Sequence, residues 1–476
     1  MHWKELLIAA VLLAPPALAE GLPDLGDSSA ADLSPQMERR IGESIVRDIR
    51  LHDAAYVDDA EIQGYLNDLG GRLAANAPGP RQDFEFFAVK DSTLNAFALP
   101  GGYIGVHTGL LLAAQSESEL AGVLSHEIAH VEQHHVARMV GKQGQANLTS
   151  LAALVVAILA AGSNAQVAQA ALATGTAVNM QTQLNYTREF EREADRIGMQ
   201  ILESSGYEVQ GMASFFVRLQ QFGRLYENNA PAYLRTHPLT TERIADMENR
   251  AAARSQRQVP DSLAFQLVRA KLRSEQGMPA DAITDFETQL RDKKYASEAA
   301  VRYGLARAQL RAKNYPAAER EVAALRRLNA GSPMIETLAA DVQSGSGDTV
   351  AALKTYRDAR ARFPQDRALI YGAIDAQLLA GRADEARQAA AAELRTFPAD
   401  ARLWSLQAKA YAALGKRLLQ HRSQAEVYAL QGQLRAAVEQ LQIAQKAGDG
   451  DFYEQSAVDA RLRELQRRQL EEDKKK

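Results

Sequence analysis

The spacing of apolar side chains gives the chain several distinct textures. Between residues 36 and 70 apolar positions recur at helical intervals, first Ile41, Ile45 and Ile49, then Ile62, Tyr65, Leu66 and Leu69. Each set forms an apolar stripe on an otherwise polar helix. Pro78 to Pro80 marks a turn. Phe84 to Val89 and Tyr103 to His107 read as strands, with a Pro-Gly-Gly turn at Pro100 to Gly102 between them. A small sheet is therefore expected ahead of the next apolar helical run, Leu120 to Val131. In that order a sheet edge can hold an extended peptide by strand addition. Residues 151–180 are apolar and rich in small side chains. Leu151 to Ala161 is continuous, but Gly162 to Gln166 interrupts it, and neither half reaches bilayer-spanning length. The segment predicts two buried helices. The alternative is a hairpin resting on a membrane surface or on a hydrophobic client.

From about residue 262 the texture shifts to Ala, Leu, Arg and Gln, and the chain repeats. Gly347, Gly381 and Gly415 are 34 residues apart, as are Phe363-Pro364 and Phe397-Pro398. Ala-rich helical stretches such as Asp384 to Glu393 fill the intervals. Two families of markers on one period of 34 are the signature of tetratricopeptide helix pairs, which stack into a curved solenoid with a concave binding face. Segments around Gly277 and Asn314 read as degenerate copies. Gly432 comes at half the period and predicts an irregular or capping end.

Composition narrows the picture. A chain of 476 residues with 46% hydrophobic content should form two or three domains with real cores. A net charge of −4 gives no basic field for nucleic acid, and the short basic end at Lys474 to Lys476 reads as a solvated terminus. Cysteine is absent, which excludes thiolate metal sites, disulfides and cysteine nucleophiles. At the start, Lys4 is followed by an apolar run from Leu6 to Ala14, the break Pro15-Pro16, and Ala17-Leu18-Ala19 before Glu20. This predicts a cleavable export signal over 1–19, cut after Ala19, with residues 20–35 as a mobile lead-in. No cysteine follows the cut, which excludes a lipoprotein, and the product is expected to be exported, most naturally to the periplasm of a Gram-negative bacterium.

The candidate chemistry lies in His126-Glu127-Ile128-Ala129-His130, inside the Leu120 to Val131 run. A helix puts positions i and i+4 on one face, so both imidazoles can reach one zinc ion with Glu127 beside it. A third ligand is then needed, and without cysteine it must be a carboxylate or histidine. The segment Thr187 to Asp195 offers Glu191 and Asp195 at i,i+4. Glu191 could ligate the metal while Asp195 accepts the free ring N–H of a ligand histidine. Glu193 falls on another face, and Glu189 is a poorer partner for Asp195. His134 and His135 read as ordinary polar-face residues, and His107 has no assigned role.

His126-Glu127-x-x-His130 followed by Glu191-x-x-Ala194-Asp195 resembles the zinc metallopeptidases of the CAAX-prenyl-protease and HtpX-like superfamily. So do Asn95 to Gly102 and Val106 to Leu110. The resemblance covers roughly residues 36–255. With an export signal and a repeat array added, the chain is similar to a soluble periplasmic branch of that superfamily. A prenylated substrate is not implied, because spanning helices are lacking. The implied fold is mainly α: a gluzincin-type α+β metallopeptidase domain with a small sheet over 36–258, then a tetratricopeptide solenoid over 262–470. One zinc ion per chain would be held by His126, His130 and Glu191, with Glu127 as general base. His237, in Thr236-His237-Pro238-Leu239, is implied either as a transition-state stabiliser or as a fourth ligand that keeps the enzyme latent. The plain alternative is a surface histidine at a helix start. Arg243 is a candidate electrostatic partner of the site. The implied clients are unfolded or stalled outer-membrane β-barrel proteins, and the implied machine, reached through the repeats, is the barrel-assembly complex. The rival function is a chaperone or adaptor that works through the solenoid with a mostly latent peptidase.

Overall fold

The structure, a computed structural model, describes residues 33–141, 188–225, 232–254, 257–328 and 331–473. The export signal, most of the lead-in, the 151–180 segment and Lys474 to Lys476 lie outside the described residues. Two amphipathic helices open the fold, α1 (Pro35–His52) and α2 (Ala60–Ala74), with apolar stripes that include Ile41 and Ile45, then Ile62, Leu66 and Leu69. Asp59 caps α2, accepting hydrogen bonds from the N–H groups of Glu61 and Ile62.

A three-stranded sheet follows: β1 (Glu85–Val89), β2 (Ala96–Leu99) and β3 (Tyr103–His107) in the order β1-β3-β2. β1 and β3 match the expected strands to within a residue. β2 adds a strand that the sequence pattern did not mark. β3 is central and buried throughout, parallel to β1 with Phe86 opposite Ile104, and antiparallel to β2 with Ala98 opposite Ile104. Gly101 and Gly102 turn the β2–β3 hairpin at φ of +75° and +92°, a conformation that other residues rarely take.

After the short helix α3 (Thr108–Ala113) comes α4 (Glu117–Glu132), buried along its entire length. Ser116 caps it through the Glu119 N–H, while the Glu119 carboxylate accepts from the N–H of Gln115, the residue before the cap, at 2.6 Å. α5 (His135–Gly141) follows after a break at His134. α4 is enclosed by α2, β2, α6 (Arg188–Ser204) and α7 (Val209–Leu225). Glycines allow the closest approaches: a Cβ on Gly122 would stand 2.8 Å from Met212 Cα, and one on Gly198 would stand 3.1 Å from His126 Cα. The short α8 (Ala232–Thr236) and α9 (Thr241–Ala252) complete this half.

From Leu263 onward the chain is a run of antiparallel helices, α10 (Leu263–Ser274) to α21 (Phe452–Asp473). The period of the glycines has a conformational cause. Gly347, Gly381 and Gly415 turn successive helix pairs at φ of +90°, +72° and +69°. One period before Gly347 the same turn is made by Lys313, at φ +58°, so the degenerate copy turns at Lys313 itself. The first repeat helix is tied to the buried helix α4. Glu117 accepts from the Ser262 N–H at 3.0 Å and from its hydroxyl at 2.8 Å, while the Glu117 N–H donates to Asp261 at 2.7 Å. Lys271 of α10 also reaches Glu61 at 2.6 Å in a buried ion pair. No helix among the described residues is long and apolar enough to cross a membrane.

The left-handed lysine gives a direct test. Lys313→Gly removes a Cβ from a conformation that costs a non-glycine residue about 1 kcal/mol. It should raise the stability of the repeat region by about 0.5–1 kcal/mol, read as a higher urea midpoint by circular dichroism.

Candidate metal centre

Four buried side chains from three segments converge. His126 and His130 come from α4, Glu191 from α6, and His237 from the end of α8. One potential ligand atom from each lies within 4.8 Å of all the others. The two Nε2 atoms of the α4 histidines face each other at 3.0 Å. The Glu191 carboxylate lies 3.6 Å from His126 Nε2 and 3.5 Å from His130 Nε2. His237 Nδ1 is 3.0 Å from Glu191 Oε1, and its Nε2 is 3.7 Å from Glu127 Oε1. All four residues are 2% exposed or less.

Helical spacing accounts for the part the sequence made visible. Glu191, Asp195 and Gly198 form one stripe of α6 that faces α4. The glycine allows close approach, and the two carboxylates meet the histidines. Asp195 Oδ1 lies 3.1 Å from His126 Nδ1. Residues 60–251 match peptidase family M48, and residues 345–410 match the tetratricopeptide repeat. The chain is 33% identical to the β-barrel assembly-enhancing protease of Escherichia coli (strain K12), over 98% of this chain and 96% of that one. It is 31% identical to that of Yersinia pestis, over 94% and 92%.

The chain belongs to the β-barrel assembly-enhancing proteases of peptidase family M48. It is also 34% identical to the mitochondrial metalloendopeptidase OMA1 of Arabidopsis thaliana, over 33% of this chain and 29% of that one. That similarity reaches only a portion of either protein. As an M48 metallopeptidase, the protein has its histidine-histidine-glutamate cluster at the crossing of α4 and α6.

Arg243, on α9, is fully enclosed and grips this metallopeptidase cluster from behind. Its Nε and Nη2 donate to the two oxygens of Asp195 at 2.7 and 2.8 Å, and Nη1 donates to the Pro238 carbonyl at 2.7 Å. Nη1 also lies 2.7 Å from Glu191 Oε2. Burial would raise both carboxyls, but the guanidinium and the histidines outweigh it and hold Asp195 low and Glu191 well below the ordinary value. Burial pulls His126 down, yet the Asp195 and Glu191 carboxylates overcome it and raise the imidazole to about 9. His130 goes the other way, driven well below its usual value by burial and by the neighbouring His126. Burial holds the Glu127 carboxyl above its usual range.

Sequence reasoning missed Tyr233, misplaced His135 and gave Glu193 no role. Tyr233, one helical turn before His237, is completely buried and stacks on that ring at 4.5 Å. Its length within a short apolar helix gave no signal of this role. His135 is not a polar-face residue: it is 0% exposed, and its Nδ1 lies 2.7 Å from His130 Nδ1. Glu193, which the helical projection put on another face, pairs with His135 at 3.2 Å and with Arg138 at 3.0 Å. His237 is buried and in the cluster, which removes the surface-histidine reading. His134 and His107 stand apart from it, paired with Glu38 and Thr93 respectively.

The donors suit a metal ion. Neither oxygen of buried Glu127 has a hydrogen-bond partner among the described residues, although an unpaired buried carboxylate is costly. Two imidazole nitrogens facing each other across 3.0 Å can share only one hydrogen. A divalent cation between the histidines and Glu191 would take the place of that hydrogen. Because the Asp195 and Glu191 carboxylates raise His126 to about 9, its imidazole holds a proton at neutral pH that a metal ion must displace. Metal affinity should therefore fall about tenfold for each pH unit below 9. Chelator competition between pH 6.5 and 8.5 reads this slope, and a flat profile would contradict it.

Arg243→Leu leaves Asp195 and Glu191 as uncompensated buried charges. It should cost about 3–5 kcal/mol of stability. Arg243→Lys, which keeps the charge but loses the forked contact, should fall between that variant and wild type in thermal melts.

Proposed function

We propose that this protein is a periplasmic zinc endopeptidase that degrades misfolded or stalled outer-membrane β-barrel proteins and also supports their assembly. The observation that carries the reading is the cluster of His126, His130, Glu191 and His237 around one point, with Glu127 against it. Nitrogen and carboxylate donors without sulfur suit a borderline cation such as zinc. His126, His130 and Glu191 would hold it, one ion per chain. When bound, zinc would supply Lewis acidity toward a peptide carbonyl and a water.

The remaining roles fall to this chain's own groups. Glu127, held above the usual carboxylate range by burial, would accept a proton from the attacking water and return it to the leaving amine. Asp195 would fix the ring of His126, and Arg243 would hold both carboxylates in place. An extended client would add to β2, the edge strand on the α4 side of the sheet. The peptidase unit would span 36–258 and the repeat unit 262–470, with the signal at 1–19 placing both in the periplasm.

His237 favours a latent resting state. As a fourth protein donor it would compete with the water that a working peptidase needs, and the same ring faces Glu127 at 3.7 Å. Movement of the 232–237 segment would open the site. The adaptor role is supported by a cavity of about 930 Å³ between α1 and α2 on one side and the later repeats on the other. Arg47, Arg367, Tyr371 and Arg402 are among its lining residues. A client or the barrel-assembly machinery could be held there while the peptidase stays closed.

Glu127→Gln should lower casein hydrolysis by at least about a hundredfold while one equivalent of zinc stays bound. Hydrolysis at the wild-type rate would end the mechanism. His237→Ala should raise basal casein hydrolysis severalfold. A fall instead would make His237 the transition-state stabiliser.

A further inference from the structure

We propose that His135 is a positioning residue for His130, holding that ligand through a histidine-to-histidine hydrogen bond that Glu193 and Arg138 complete. The inference rests on the reading of His126, His130 and Glu191 as metal ligands. An imidazole that gives Nε2 to a metal carries its hydrogen on Nδ1, and that hydrogen needs an acceptor to fix the ring. For His126 the group at that position is Asp195, 3.1 Å away. For His130 it is another imidazole, the Nδ1 of His135 at 2.7 Å.

Two nitrogens at that separation share one hydrogen. If His130 donates, His135 must accept at Nδ1 and carry its own hydrogen on Nε2. That nitrogen faces Glu193 Oε2 at 3.2 Å, and Arg138 donates to the same oxygen at 3.0 Å. All the hydrogens are thus used consistently: His130 donates to His135, His135 to Glu193, and Arg138 to Glu193 from the other side.

The ring is held for this task. His135 has no exposed surface, stacks on Phe190 at 4.5 Å with 16° between the planes, and lies 4.8 Å from the His130 ring. Arg138 in turn lies 4.5 Å over Phe190. Packing alone would be served by a phenylalanine at this place, without two buried ring nitrogens to satisfy. The choice of a neutral acceptor also fits the local charge. Glu127, Glu191 and Asp195 are already buried around the cluster with Arg243 against the latter two. A further carboxylate against His130 would add to that repulsion, whereas an imidazole accepts the same hydrogen without charge and passes it toward the half-exposed Glu193.

The test compares wild type, His135→Phe, His135→Gln and Glu193→Gln in full-length protein. Zinc affinity is measured by chelator competition, the cobalt(II)-substituted absorption spectrum by titration, and the fold by circular dichroism of the metal-free protein. His135→Phe should keep the fold, lose about 10–100-fold in zinc affinity, and change the cobalt ligand-field bands. His135→Gln can accept from His130 and donate to Glu193, so it should recover most of the loss. Glu193→Gln, at the half-exposed end, should show a smaller loss in the same direction. Wild type binding one zinc while a folded His135→Phe binds equally tightly would overturn the proposal and leave the metal site intact. Wild type binding no zinc would overturn the metal reading itself. Should His135→Phe fail to fold, wild-type affinity and an unchanged cobalt spectrum in Glu193→Gln would overturn the proposal.

Discussion

A helix buried on every side must find a partner for each polar group it carries, and α4 imposes that demand on the rest of the peptidase half. Its charged and ionisable residues include Glu117, Glu119, His126, Glu127, His130 and Glu132, all buried. Unpaired, each would cost several kcal/mol. The surrounding elements supply the partners. Tyr65 and Ser262 take Glu117. Arg218 and Ser214 take Glu119. Gln82 takes Glu132. Asp195 faces His126, and His135 faces His130. Glu127 stands out among these carboxylates, because neither of its oxygens is hydrogen-bonded among the described residues. With both oxygens left without such a bond, Glu127 is the carboxylate of this helix most open to chemistry.

The same demand ties the solenoid to the active helix. Glu117, at the first turn of α4, exchanges hydrogen bonds with Asp261 and Ser262, the residues that start α10. Lys271, one side of that first repeat helix, is buried against Asp59 and Glu61 at the start of α2. Burial would raise the carboxyl of Glu61 and does so despite Lys271, so the contact is stabilised mainly by the lysine finding two acceptors at once. A buried ion pair of this kind contributes more to geometric definition than to net stability. With the Glu117 contacts, it attaches the first repeat helix to both α2 and α4.

Local periodicity was legible and tertiary return was not. The His126/His130 pair and the Glu191/Asp195 pair each follow one helical spacing, so the sequence alone could put each on one face. The 34-residue period was legible because the glycines that carry it occupy left-handed turns. β2 escaped notice because Ala96 to Leu99 is short and half made of alanine, a weak strand former. His135 escaped for a geometric reason. On a continuous helix a residue five positions beyond His130 points about 140° away from it. His134 adopts φ +48°, breaks the helix, and returns His135 to the side of His130. Arg243 and His237 arrive from a segment more than a hundred residues downstream of α4, where no spacing rule reaches.

That downstream segment also decides what the cluster can do at rest. Four protein donors around one point suit a closed site, and a peptidase needs one of those positions for its substrate. On the proposed reading, His237 would be the donor that leaves. His126, His130 and Glu191 sit within long packed helices, whereas His237 lies at the end of a five-residue helix. Among the contacts of that segment are the stacking of Tyr233 on His237, the Tyr233 N–H donating to the Leu94 carbonyl at 3.2 Å, and Arg243 donating to the Pro238 carbonyl at 2.7 Å. Leu94 lies two residues before β2, the strand that an extended client would extend. On the proposed reading, pairing at the β2 edge and release of His237 therefore act on neighbouring stretches of backbone. A client able to form a strand would be favoured at the edge and would reach the bond that holds the plug. A folded barrel, with its strands already paired, would reach neither, so selectivity for stalled clients would follow from backbone hydrogen bonding, without any pocket for a particular side chain.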